Sequence, residues 1–141
     1  MHGFCGILLL FFIKMRYFIP GMVMILIDIF YLTTFGKNVF VPMLENIQRE
    51  KVIFKMWPTI LCYILLVFSL DYFIISQKRP LLDAFILGVC IYGVYETVNL
   101  ATLKKWRADA ALLDTIWGGT LMTLTTYLTY KVTSTKIKLF P

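Results

Sequence analysis

A chain of 141 residues that is 60% hydrophobic and 16% charged is too apolar for a soluble domain, where about a quarter of residues carry charge. Its formal charge of +6 does not describe a nucleic-acid surface. The basic residues fall in short groups at the ends of apolar blocks (Lys14/Arg16, Lys78/Arg79, Lys104/Lys105/Arg107, Lys131/Lys136/Lys138), where they meet lipid headgroups.

The first segment, 1–16, has an apolar core of only about ten residues, too short to span, and Lys14 and Arg16 cut it off from the first span. It reads as an N-terminal extension, either lying at the membrane interface or standing upstream of a true start at Met15. A hydrocarbon core of roughly 30 Å needs about 20 apolar helical residues. Four segments meet that length, at about 17–36, 57–75, 81–103 and 108–130, within a single four-span domain over 17–131. The longest connection, 37–55, places Met43, Leu44 and Ile47 on one helical face, so it is read either as a short surface helix or as a solvated loop. The third and fourth spans are joined by a few residues and must form a tight antiparallel hairpin. A short basic tail occupies 132–141. The fold class is therefore all-α, an integral membrane four-helix bundle; continuous apolar runs without alternation exclude a transmembrane β-barrel. Seven Lys and Arg flank the spans on each side, so the charge count fixes no orientation.

His2 is the single histidine, and Cys5, Cys62 and Cys90 are scattered through apolar runs, read as buried free thiols. A His/Cys metal site or a His-dependent triad has no raw material, and no metal or cofactor is expected. What stands out instead is carboxylates inside spans, which cost about 2.5–3.5 kcal/mol each to insert and so face a bundle interior or a cavity. Asp28 lies nine residues before Lys37, Glu96 eight before Lys104, and Asp114 seven after Arg107. At helical rise all three sit roughly 10–13 Å inside the same membrane face.

Gly88, Tyr92, Glu96 and Asn99 form one stripe of the third span, and Asp114, Trp117, Gly118, Leu121 and Thr125 a comparable stripe of the fourth. A hairpin folded about residue 106 brings the two stripes together. Ala111, Thr115, Gly119 and Thr123 supply small residues for close helix approach. The candidate pocket comprises Asp28, Tyr92, Glu96, Asn99, Thr102, Asp114 and Trp117. Three carboxylates this close cannot all ionise in a low dielectric, so at least one carries a proton at neutral pH. Asp71, near the opposite face, reads as interfacial. Trp57, Trp106, Tyr17 and Tyr130 sit at span ends, as an aromatic belt requires.

Asp28 followed by Tyr31-Leu32, then Tyr95, Asn99, Ala101 and Thr102, then Asp114, Trp117 and Gly118, resemble a bacterial group of predicted four-helix membrane proteins, domain of unknown function 2177. The resemblance covers nearly the whole chain from Met15 onward. It implies a four-helix membrane fold with a shared polar motif and supplies no activity. Inside the motif Glu96 stands where the group has Asp, and Val98 where it has Thr, a change that a strict metal geometry would tolerate poorly.

Three functions fit these residues. The pocket binds or conducts a proton, a cation or a small polar solute, with a homo-oligomer or larger membrane complex as partner because four helices make a thin pathway. Alternatively the protein shapes or assembles a membrane and the polar cluster is helix–helix glue. A lipid-modifying enzyme, or its accessory subunit, would use Asp114 or Glu96 as acid or base, but no nucleophile motif or phosphate-binding glycine loop accompanies them. Abundant Ile, Phe, Lys and Tyr suggest an AT-rich coding genome, hence a bacterial inner membrane or a viral or host membrane.

Overall fold

A computed structural model describes residues 2–141, with side chains from Arg16 onward. The expected N-terminal extension therefore lies, up to residue 15, outside the described side chains. The elements are α1 (His2–Tyr31), a π-helical turn (Leu32–Gly36), α2 (Lys37–Gln48), α3 (Met56–Leu70) prolonged by a second π-helical turn (Asp71–Ile75), α4 (Leu81–Thr102) and α5 (Ala108–Val132). The segments Arg16–Gln48, Met56–Ile75 and Leu81–Thr102 are each long and apolar enough to cross a membrane. Their outward faces carry Leu26, Phe30, Ile60, Ile64 and Val94, all exposed. In water such a surface would drive association; against acyl chains it is the expected solvent contact. Cys62 and Cys90 share it, exposed rather than buried as their apolar context suggests.

α5 is as long as its neighbours, at 25 residues, but it carries Asp114 and six threonines. Its position explains the polarity. α5 is the middle helix, packed along α4, against α1 and against the end of α3, and it is buried at intervals from Ala110 to Tyr130. Four of its threonine hydroxyls donate to the carbonyl one turn back: Thr115 to Ala111, Thr120 to Ile116, Thr123 to Gly119 and Thr126 to Met122. Hydroxyls paired in this way cost little in an apolar setting. The core joins α1, α3, α4 and α5 through Met24, Leu66, Val67, Leu70, Ala84, Leu121 and Met122.

The α4–α5 hairpin is closed by glycines. A Cβ added to Gly88 would land on the Gly118 carbonyl oxygen, and one on Gly118 would land on the Tyr92 ring. Gly93 faces Thr115, and Gly119 faces Phe85 and Val89. These pairs centre the fold near residues 103–104 rather than 106, sliding the two stripes past each other by about five residues, or roughly 1.4 turns.

The connection after the first span is neither a detached surface helix nor a loop. The helix continues through the first π turn to Gln48 and stops at Arg49, which takes φ 59°. The face shared by Met43, Leu44 and Ile47 does not lie on lipid. It packs onto Leu103, Trp106, Ala110 and Ala111, covering the α4–α5 turn. Lys105 donates to the Asn46 backbone and side-chain oxygens, which fastens that cover.

At the other end Asp71 does not reach out to headgroups: it is fully buried in the protein and accepts from the Arg16 guanidinium and the Ser76 hydroxyl. Tyr130, buried as well, donates to the Arg79 carbonyl at 2.8 Å, with the Ile74 carbonyl at 3.2 Å. It serves as an anchor between α5 and the α3–α4 turn instead of a belt residue. The basic tail folds back, and the Lys138 and Leu139 carbonyls accept from the Leu81 and Leu82 N–H groups. Helix N-termini leave such donors without intrahelical partners, so the tail caps α4.

Candidate functional site

Three helices bring their carboxylates to one level, and neutral donors meet them. Asp28 on α1 is 7% exposed. Its Oδ2 accepts from the Tyr63 hydroxyl of α3 at 2.6 Å and its Oδ1 from the Trp117 indole N–H of α5 at 2.9 Å. One side chain therefore ties three helices, with both oxygens engaged. Trp117 also stacks on Tyr31, ring centroids 4.1 Å apart and planes 8° from parallel. Tyr31 lies one turn beyond Asp28, on the same face of α1, and its buried hydroxyl has no hydrogen-bond partner.

Glu96 on α4 is 1% exposed. Its Oε2 accepts from the Trp106 indole N–H at 2.6 Å, while its Oε1 is buried with no donor. Trp106, 8% exposed in the α4–α5 turn, is held in place by Met43 of α2. It does not belong to an aromatic belt; it is the group that fixes Glu96. Asp114 on α5 is half-buried and faces Glu96, Tyr31 and Asp28. The Asn99 amide nitrogen is another buried donor without a partner.

Of the remaining residues read from sequence, Tyr92 packs its ring on Gly118 and is half-buried beside the cluster. Thr102 does not join it: the side chain is exposed and its hydroxyl donates to the Val98 carbonyl of its own helix. Asp109 is likewise outside, exposed at the first turn of α5 and paired with Arg107. Sequence reasoning misses Tyr63 and gives Trp106 the wrong task. Helical periodicity is enough to find Tyr31, three residues after Asp28.

Among the described residues no Lys or Arg pairs with Asp28, Glu96 or Asp114; the ion pairs are Arg16–Asp71, Arg79–Asp83 and Arg107–Asp109. Nor, among those residues, do three His, Cys, Asp or Glu side chains converge closely enough to hold a metal ion. Asp28 and Glu96 are each held by aromatic donors rather than around a common centre.

Trp106 can be tested directly. Trp106→Phe leaves both oxygens of a buried carboxyl without a donor and should cost about 1–3 kcal/mol. Unfolding by denaturing detergent should shift accordingly, and proteolysis within 49–55 should accelerate as α2 loosens.

An α-helical bundle with lipid-suited faces and an acidic cluster between its helices defines a polytopic membrane protein. This chain belongs to the family described as "Predicted membrane protein (DUF2177)", which matches residues 13–131. No curated protein and no solved structure matches it.

Proposed function

We propose that the protein binds and releases a proton, or a small cation in its place, at the Glu96–Asp114 pair. The observation that supports this is the Glu96 Oε1 atom, buried without a donor on a side chain that faces the Asp114 carboxyl and has no basic partner among the described residues. Buried carboxylate oxygens are normally satisfied, and an isolated one is expensive. A proton shared between the two carboxyls satisfies both, and a change of access at the α2 cover would release it. Intramembrane carboxyls are the usual carriers in proton relays.

Asp28 takes a different part. Both its oxygens already accept from neutral donors on other helices, which favours helix anchoring. A four-helix bundle is thin, so conduction across the bilayer would engage a second copy or a larger membrane partner.

Purified protein reconstituted into liposomes with an entrapped pH-sensitive dye tests the reading. An imposed potential should drive proton flux that Glu96→Gln and Asp114→Asn each abolish. Flux that persists unchanged in folded Glu96→Gln protein would overturn it.

A further inference from the structure

A crevice of about 760 Å³ runs between α1 and α3, away from the Glu96–Asp114 pair. Small-molecule sites commonly measure about 300–1,000 Å³, mostly apolar with a few placed polar groups. Here Gly21, Ile25 and Ile29 form one wall and Ile60, Ile64 and Val67 the other. Ile29, Ile60 and Ile64 are exposed on the flank that acyl chains would cover, so the crevice opens sideways into the bilayer. Gly21 gives it width: a Cβ there would meet only Val67, at 3.8 Å.

Tyr17, Thr59 and Tyr63 are the polar residues of that lining, and of these Tyr63 donates its hydroxyl to Asp28 at 2.6 Å. A carboxylate with no basic partner thus stands one tyrosine behind an apolar slot. The combination selects charge and solubility together. A water-soluble cation would have to pass through acyl chains to reach the slot, and an anion would meet the Asp28 field. A cation with an apolar body partitions into the bilayer, fills the slot, and meets Tyr63 in the α3 wall with the Asp28 carboxylate behind it.

We propose that the α1–α3 crevice binds a lipophilic organic cation drawn from the membrane, with Asp28 as its counter-charge and Tyr63 as the residue it must displace. The proposal goes beyond the proton-binding reading and rests on different residues, so either can fail alone.

The pair tetraphenylphosphonium and tetraphenylborate, alike in shape and opposite in charge, tests it on protein in phosphatidylcholine nanodiscs, with empty nanodiscs subtracted. Saturable binding of the phosphonium and none of the borate is expected. Asp28→Asn should weaken phosphonium binding about tenfold or more, because it removes the counter-charge from a low-dielectric site. Gly21→Leu, which fills the slot from α1 without touching Asp28, should abolish it and keeps the test open if Asp28→Asn fails to fold. Equal binding of borate, which would mark an unselective acyl-chain groove, overturns the proposal. So does phosphonium binding that survives Gly21→Leu.

Discussion

Gly88→Val is expected to break the α4–α5 hairpin. A β-carbon at this position falls on the Gly118 carbonyl oxygen and 2.8 Å from the Gly119 α-carbon. Those are backbone atoms, and no rotamer change moves them aside. Even alanine must push the two helices apart, and forced overpacking typically costs about 1–3 kcal/mol. Valine adds two γ-methyls to the same clash, so Gly88→Val should not be recovered folded. The damage also reaches the acidic cluster, because Glu96 and Asp114 face each other across this interface. Gly93→Ala is the matched control. Its new methyl would sit 3.4 Å from Thr115 Cγ2, and alanine gains about 0.5–1 kcal/mol over glycine in a helix. Circular dichroism during titration with denaturing detergent should rank Gly93→Ala at or above the parent and Gly88→Ala well below it. Equal stability of the two would mean that the helices do not meet at Gly88.

Arg16→Met should have the second largest effect. Asp71 is fully buried and depends on the Arg16 guanidinium and the Ser76 hydroxyl. Removing one member of a buried pair costs about 3–5 kcal/mol where both are enclosed. The Arg16 side chain is 49% exposed, so solvent and headgroups already weaken its attraction, and about 1–3 kcal/mol is the better expectation. The same detergent titration measures it. Because the loss comes mainly from stranding Asp71, adding Asp71→Leu should recover part of it. A double variant as unstable as Arg16→Met would show that Arg16 acts through contacts other than this pair.

The sequence carried the helices and the level of the carboxylates because both depend on spacing along the chain. Apolar blocks of about twenty residues have one solution in a bilayer, and the separation of Asp28, Glu96 and Asp114 from the flanking basic residues sets their depth. The place of Trp117 beside the cluster was legible too, since it shares one helical stripe with Asp114. What spacing could not carry was what crosses between elements. Gly36, Lys37, Asn38 and Pro42 look like the end of a helix, yet a π turn absorbs the irregularity and α2 continues over the α4–α5 turn. That cover turns Trp106 from a belt residue into the partner of Glu96. Tyr63 sits on α3 with no local feature to mark it, and only the packing of α3 on α1 aims it at Asp28. Thr102 misled for the opposite reason: its stripe on α4 was nearly right, but its hydroxyl has a carbonyl of its own helix within reach.

The backbone that completes α4 is synthesised only after α5. The carbonyls of Lys138 and Leu139 cap the N–H groups of Leu81 and Leu82, so the start of α4 stays open until all of α5 has left the ribosome. The hairpin can enter the membrane before that, but it cannot be locked. A cell that stalls or trims the chain just after Val132 would hold the helical bundle with α4 still loose at one end. Quality control would then see a membrane protein whose fault lies in water, at the headgroups, where a protease can reach it.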